Sequence, residues 1–184
     1  DHTIFQSRFC LENFKAYGYS SEKHSVIYNG VNQKLFNLNG KVYWDGKSKL
    51  KVFSSSWSKN PIKGHEMIAR VSEFDFVETY FVGNWPEGVD MKRVRVFKSM
   101  YQEELAHEYK KYDVFLHPSE NDACPNSVIE ALSSGLPVLY ANSGGTPEIV
   151  GEKYGASIDD KDFKSVFDLV TKKYNYWVDN INKD

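Results

Sequence analysis

The amino-acid sequence predicts an α/β protein with a Rossmann-like, doubly wound parallel sheet. The first observation is that short apolar segments alternate with helical ones from about Leu50 onward. This order is expected when helices cover both faces of a parallel sheet. The second observation is size, since the chain has 184 residues, of which 41% are hydrophobic and 26% charged. Such a chain is long enough for one domain with its own core.

Apolar runs and helical periodicity predict the individual elements. A short helix is expected from Ser7, a favoured capping residue, to Ala16 or Tyr17, with Gly18 at its end. Short strands are expected at 26–28 and 42–44, and the strands of the main sheet at 50–54, 77–82, 94–97, 113–116, 137–140 and 156–158. The main helices are expected at 64–73, 101–111, 125–134 and 162–181.

The strand order of such a sheet predicts where a ligand binds. In the usual order, 3-2-1-4-5-6, a crevice opens between the first and fourth strands, outside their carboxyl ends. The loops at that crevice are 55–63 and 117–125. This location follows from topology, before any motif is considered.

Composition excludes several classes of protein. A net charge of -2 argues against nucleic acid as the main partner but leaves room for a small anionic ligand. Cys10 and Cys124 form no CxxC pattern, so both are expected to be reduced, which favours the cytoplasm. The scattered histidines predict no metal site, and no apolar run is long enough to span a membrane. Because the chain starts at Asp1, an N-terminal part is expected to be missing.

The loop after the first main strand carries hydroxyls, Lys59, Lys63 and Gly64. Lys63 beside Gly64, which opens a helix, suits a phosphate as a point charge next to a helix N-terminus. The alternative is a solvated loop with surface lysines, which is the commoner situation for this residue type.

The loop after the fourth main strand leads into a helix that Pro125 begins and Gly135 ends. Free N–H groups near Asn126 and Ser127 then face the crevice and provide an anion site suited to a diphosphate. Cys124, beside them, is either a thiol activated by the helix N-terminus or a small space-filling residue. His117, at the strand end, is interpreted as a structural hydrogen-bonding group.

Two carboxylates flank this anion site, Asp122 ahead of the helix and Glu130 inside it. Carboxylates accept strong hydrogen bonds from sugar hydroxyls, so the pattern indicates a ligand with phosphates in the middle and polyols at both ends, as in a nucleotide sugar. Taken singly, Asp122 could instead cap the helix and Glu130 could lie on its surface. A third loop contains Gly144 and Gly145, which allow either close approach of a ligand or a simple tight turn.

The segment 119–150 carries the most specific pattern, which includes the run DACPNSVIEALSSGLPVLYANSGGTPEIV at 122–150. With its two acidic residues, GxPV and GGxPEIV, it resembles the donor-binding domain of GT4-like retaining glycosyltransferases, which is the C-terminal half of a GT-B fold. The resemblance covers almost the whole chain. NGV at 29–31 is similar to the family's interdomain segment, KG at 63–64 to its phosphate-binding motif, and IFQSRFCLENF at 4–14 to the last strand and helix of its N-terminal domain.

The resemblance implies a domain division and a donor. Residues 1–30 correspond to a remnant of the N-terminal domain with the interdomain linker, and residues 31–184 to the nucleotide-sugar-binding domain. The implied donor is a UDP- or GDP-sugar, bound without cofactor or metal and with the base near residues 97–101. The whole enzyme is expected to transfer the sugar to an acceptor with retention of configuration, in the cytoplasm and with peripheral membrane association.

The resemblance also implies roles for single residues. Lys63 and helix 125–134 hold the diphosphate, Asp122 holds the sugar hydroxyls and Glu130 the ribose, with Lys63 and Asp122 also acting in catalysis. The further donor contacts that it implies are Lys59, Gly64, Ala123, Cys124, Asn126 and Ser127.

Departures from the family pattern leave a second interpretation open. Asp122 stands where the family usually has Glu, and Trp57 and Ser58 stand where it has an arginine, with Lys59 as the nearest substitute. The alternative is therefore a nucleotide-sugar-binding lobe or partner subunit that never catalyses. An ordinary Rossmann oxidoreductase is disfavoured, because no GxGxxG follows the first main strand. Without the acceptor domain, these residues alone are expected not to transfer sugar.

Overall fold

The protein, seen in a computed structural model, contains eight strands and six α-helices within its described residues, 1–158 and 163–183. The strands are β1 (Thr3–Phe5), β2 (His24–Val26), β3 (Leu50–Ser56), β4 (Val77–Gly83), β5 (Arg95–Phe97), β6 (Val114–His117), β7 (Val138–Ala141) and β8 (Gly155–Ile158). The helices are α1 (Arg8–Ala16), α2 (His65–Val71), α3 (Gln102–Tyr109), α4 (Asn126–Ser133), α5 (Thr146–Val150) and α6 (Phe163–Ile181), and a 3-10 helix spans Pro61–Lys63.

The main sheet is doubly wound and wholly parallel. Its six strands lie in the order β5-β4-β3-β6-β7-β8. Counted from β3, this is the order 3-2-1-4-5-6 that the sequence predicts. The strand order changes direction between β3 and β6, so the loops after these two strands meet at the predicted crevice.

Both faces of the sheet are covered, and adjacent residues of each strand pack on opposite sides. Val52 packs in one core cluster with side chains of α2 and α6. Phe53, the next residue, packs in the other cluster with side chains of α3 and α4. A parallel sheet buried in this way has apolar residues on both faces of each strand, which is why the sequence showed short uninterrupted apolar runs.

The predicted strand at 42–44 is wrong. This segment joins neither sheet, and one side chain of α6 and one just after its end hold it instead. The Tyr43 hydroxyl donates to Asn182 Oδ1 at 2.7 Å, and the Trp44 N–H donates to the Tyr174 hydroxyl at 3.1 Å. The aromatic residues that favour a strand locally thus pack against a distant helix.

The N-terminal residues form a small unit with a sheet of its own. β1 pairs in parallel with β2, two residues earlier than the predicted strand 26–28. Helix α1 begins as predicted, with the Ser7 side chain accepting from the Cys10 N–H, and Gly18 follows its end with φ 98°.

The other predicted elements are found with small shifts at their ends. The last predicted helix is α6, which the structure describes from Phe163; residue 162, the first of the prediction, lies outside the described residues. No helix within the described ranges has both the length and the apolar character needed to cross a membrane.

Candidate functional site

A cavity of about 630 Å³ opens at the carboxyl ends of β3 and β6, where the topology predicts a ligand site. It is lined by residues 54–58, Lys63, residues 100–102, Leu105, residues 117–119, Asp122, residues 124–127 and Glu130. Its wall therefore combines hydroxyls, one ammonium group, two carboxylates and the start of a helix.

The turn before α2 brings Lys63 to this cavity. Asn60 caps the 3-10 helix by accepting from the Ile62 N–H, and Gly64 ends it in the left-handed region with φ 71°. A Cβ atom on Gly64 would lie 2.6 Å from the Pro118 carbonyl oxygen, so only glycine lets the two loops approach this closely. The Glu120 N–H also donates to the Ile62 carbonyl at 2.8 Å.

Lys63 and Asp122 form an ion pair at the cavity wall. Lys63 Nζ donates to Asp122 Oδ2 at 2.8 Å, and the two side chains are only 25% and 23% exposed. The backbone of Asp122 is held in turn by the third loop, where the Gly145 N–H donates to the Asp122 carbonyl. A Cβ atom on Gly144 would lie 2.3 Å from that carbonyl oxygen. Gly144 and Gly145 therefore support the Asp122 loop.

The N-terminus of α4 supplies backbone donors. Pro125 precedes the helix, and its carbonyl accepts from the N–H groups of Val128 and Ile129. The N–H groups of Asn126 and Ser127 therefore come before the first helical hydrogen bonds, at a point where the helix dipole favours an anion. Both residues line the cavity.

Glu130 is the fifth residue of α4, about 6 Å along the helix from its start. Its Oε2 atom lies 3.3 Å from the Tyr109 hydroxyl, which is also 3.1 Å from the Ser127 carbonyl oxygen. Burial raises the pKa of Glu130 from its ordinary 4.5 to about 6, although the hydrogen bond from Tyr109 acts in the opposite direction. The two acidic residues thus lie on either side of the helix start.

Three residues implied by the family pattern do not line this cavity. Lys59 is exposed, with its Nζ 3.5 Å from Glu87 Oε1, and it lines a second cavity of about 430 Å³ together with Gly64. Ala123 contributes backbone packing, since its carbonyl oxygen lies 2.0 Å from where a Cβ on Gly145 would be. Lys59 is therefore left out of the proposed site, and the two others act through the loop backbone.

Cys124 is a buried wall residue. Its Sγ accepts from the Asn29 N–H at 3.4 Å, and burial raises the pKa of the thiol. The Asn29 side chain donates to the Cys124 carbonyl at 3.0 Å and to Asn126 Oδ1 at 2.8 Å. The space-filling interpretation fits this environment better than a reactive thiol. Asn29, in turn, ties the N-terminal segment directly to the start of α4.

Sequence reasoning left His117 and Ser119 out of the site. Both are buried side chains at the end of β6, and both line the cavity. The strand-end position next to a predicted ligand crevice was the available signal. At the rim, Trp57 and Tyr101 expose 66% and 82% of their surface. Tyr101 belongs to the segment expected near the base.

Solved structures define the class of fold. The chain superposes on HepE of Anabaena, determined in complex with UDP and glucose, with a TM-score of 0.75 and 18% identity over 98% of this chain and 56% of that one. Sucrose-phosphate synthase from Thermosynechococcus elongatus gives a TM-score of 0.76 and 16% identity over 98% and 53%. The domain therefore has the Rossmann-like fold of GT-B glycosyltransferases.

The family model described as "Glycosyl transferases group 1" matches residues 90–175. The resemblance to glycosyltransferases that the sequence predicts is thereby confirmed. A GDP-mannose-dependent alpha-mannosyltransferase of Corynebacterium glutamicum is 26% identical over 88% of this chain and 41% of its own length. The sulfoquinovosyl transferase of Arabidopsis thaliana is 40% identical over 39% of this chain and 15% of its own length. The chain thus spans less than half the length of these curated relatives.

Proposed function

We propose that this domain binds the nucleotide-sugar donor of a retaining glycosyltransferase. The observation that carries the proposal is that one cavity brings Lys63, Asp122, Glu130 and the start of α4 together. A cation and free backbone N–H groups suit a diphosphate, and carboxylates on either side suit the hydroxyls of a ribose and a sugar.

Each group has one role in this proposal. Lys63 and the N–H groups of Asn126 and Ser127 bind the diphosphate. Glu130, one turn into α4, accepts hydrogen bonds from the ribose hydroxyls, and Asp122 accepts them from the transferred sugar. The base lies towards Tyr101 at the rim. UDP- and GDP-sugars are the donors proposed, in line with the UDP found with HepE and the GDP-mannose named for the mannosyltransferase.

The chemistry assigned to this half of the enzyme is stabilisation of the leaving group. The bond between the anomeric carbon and the terminal phosphate oxygen breaks, an acceptor hydroxyl forms the new bond on the same face, and its proton passes to the departing diphosphate. Negative charge then develops on the diphosphate, next to Lys63 and the positive end of α4, and both stabilise it electrostatically. The acceptor-binding half is proposed to be supplied by residues outside this chain, so that the 184 residues alone bind donor without transferring sugar.

Replacement of Lys63 tests the proposal directly. Lys63→Ala should weaken binding of UDP or GDP by about 1.5–3 kcal/mol, the range for hydrogen bonds to charged groups, and leave the free nucleoside nearly unaffected. Titration calorimetry with a thermal-shift panel of UDP-, GDP- and ADP-sugars provides the measurement.

Lys59→Ala is the matched control, because Lys59 lies on the same loop but lines the second cavity. It should leave all affinities unchanged. Equal losses for nucleoside and diphosphate, or equal effects of the two replacements, would contradict the assignment of Lys63 to the phosphates.

A non-catalytic nucleotide-sugar-binding lobe is the second candidate. It is favoured by Trp57 and Ser58, which stand where the family pattern has an arginine. Both candidates expect donor binding by this domain, and they differ in the full-length protein. Release of nucleoside diphosphate by the full-length protein, with multiple turnovers and an acceptor present, supports the enzyme and excludes the lobe.

A further inference from the structure

The side chain of His117 is buried at the wall of the cavity and incompletely paired. It is the last residue of β6, only 5% exposed, and its ring stacks on Phe115 with the ring centroids 6.3 Å apart. Its Nε2 atom is buried and has no hydrogen-bond partner among the described residues. Ser119, two residues later, is 1% exposed, and its Oγ atom also has no hydrogen-bond partner among the described residues.

These two groups are costly to the folded protein unless something binds them. A buried donor or acceptor without a partner costs about 1–3 kcal/mol, so each such group calls for an explanation. Both residues line the cavity, where a ligand could supply the missing partner. A few polar groups in the wall of a pocket are also what gives a ligand site its orientation and specificity.

The ring of His117 is neutral near pH 7. Burial lowers its pKa to about 4, with Lys63 acting in the same direction and Asp122 opposing them. A neutral imidazole has one donor and one acceptor nitrogen, and a serine hydroxyl both donates and accepts. Sugar hydroxyls also do both, whereas a diphosphate only accepts and is matched by Lys63 and the N–H groups of α4.

The charged neighbours put the ring at the diphosphate and sugar end of the proposed ligand, away from the ribose. The charged groups that influence the pKa of His117 are Lys63 and Asp122. Glu130, one turn into α4, is paired instead with Tyr109. We propose that His117 Nε2 and Ser119 Oγ hydrogen-bond to hydroxyls of the transferred sugar and help to select it. This inference rests on the proposed function and adds two contacts to it.

Replacement by an apolar side chain of similar size tests the contact, because stability and binding should move in opposite directions. His117→Leu removes an unpaired polar group from the core, so the ligand-free protein should melt at a higher temperature. The same change should lower the affinity for a UDP- or GDP-sugar by about tenfold. It should lower the affinity for the corresponding nucleoside diphosphate by much less. Ser119→Ala should lower the affinity for the same sugar nucleotide, by a smaller factor.

His65→Leu is the matched control. His65 is 2% exposed, both of its ring nitrogens are unpartnered among the described residues, and it lines the second cavity. The His65→Leu variant should have a higher melting temperature than the wild type, as His117→Leu does, but should bind both ligands with wild-type affinity.

Two results would overturn the inference while leaving the proposed function standing. In the first, the wild type binds the sugar nucleotide and His117→Leu binds it equally well. In the second, His117→Leu lowers the affinity for the diphosphate as much as that for the sugar nucleotide, which would place the ring next to the phosphates. If the wild type binds no nucleotide sugar, the proposed function itself fails, and the inference fails with it.

Discussion

At the scale of single residues, the pairing of Lys63 with Asp122 affects how the proposed donor binds. The two groups are 2.8 Å apart and largely shielded from solvent, so their attraction is screened less than that of an exposed pair. A diphosphate at the start of α4 must share the Lys63 ammonium with a carboxylate that also repels it. Only a ligand that offers hydroxyls to Asp122 gains in return.

The first residue-scale prediction separates these effects. Asp122→Asn keeps the shape of the side chain and removes its charge, so plain UDP or GDP should bind more tightly, by about fivefold or ~1 kcal/mol. The affinity for the sugar nucleotide, divided by that for the plain diphosphate, should be lower in the variant than in the wild type. The reason is that an amide oxygen accepts hydrogen bonds from sugar hydroxyls less strongly than a carboxylate does. Titration calorimetry with both ligands measures the two changes. An equal loss for both ligands would instead show that Asp122 serves to position Lys63.

Glu130 gives a prediction about stability and pH. Its pKa is raised by burial from 4.5 to about 6, so the folded state favours the protonated acid. The stability that this contributes is fully present below pH 4.5 and is lost as the pH rises through about 6. Glu130→Gln, which stays neutral, should therefore stabilise the ligand-free protein at pH 7.5 by about 1 kcal/mol, a figure reduced for partial exposure.

This gain should shrink to nothing as the pH is lowered to 4.5, as chemical denaturation at a series of pH values would show. At pH 7.5 the same variant should bind both UDP and the UDP-sugar, or both GDP and the GDP-sugar, more weakly, since the ribose contact is common to each pair. Glu22→Gln, in the exposed loop before β2, is the control and should change neither property. A stability gain independent of pH would contradict a titrating Glu130.

At the scale of elements, burial decided how much the sequence could predict. The strands β6 and β7, and β3 apart from the exposed Lys51, are buried on both faces, so their apolar runs stand out without any knowledge of neighbours. The segment 42–44 also contains strand-forming residues, but its partners are Tyr174 on α6 and Asn182 just after the end of that helix, 130 and 139 positions away. A local pattern contains no information about such a partner, and tertiary contacts override the propensity.

The same limit applies to the site. Lys63, Asp122 and Glu130 could be predicted as candidate residues because the sequence around them resembles the family pattern, and the strand order brings their loops to one crevice. Lys59, on the same loop as Lys63, is directed instead to Glu87 in the connection after β4, a contact that spacing does not reveal. The missing hydrogen-bond partner of His117 Nε2 is likewise a result of packing. Neither the residue type nor its position at a strand end predicts it.

At the scale of the whole molecule, three hydrogen bonds to Glu148 fasten the N-terminal unit of residues 1–28 to helix α5 beside the large sheet. Glu148 in α5 accepts from the backbone N–H groups of Arg8 and Phe9 at 3.1 and 3.0 Å and from the Tyr28 hydroxyl at 2.7 Å. Asn29 joins the following segment to the start of α4. The carboxylate of Glu148 thereby satisfies the free N–H groups at the start of α1 and complements its dipole.

Removal of this carboxylate should loosen the N-terminal unit and leave the large sheet intact. In Glu148→Ala, the amides of Arg8 and Phe9 lose their acceptor, so their hydrogen exchange should accelerate at least about tenfold, as expected for local opening. The amides of Val52 and Phe115 in the central strands should exchange as in the wild type. Glu152→Ala, an exposed acid just beyond α5, is the control and should change neither set. Equal acceleration in both sets would show that the N-terminal unit and the sheet open together as one cooperative body, with Glu148 contributing to global stability.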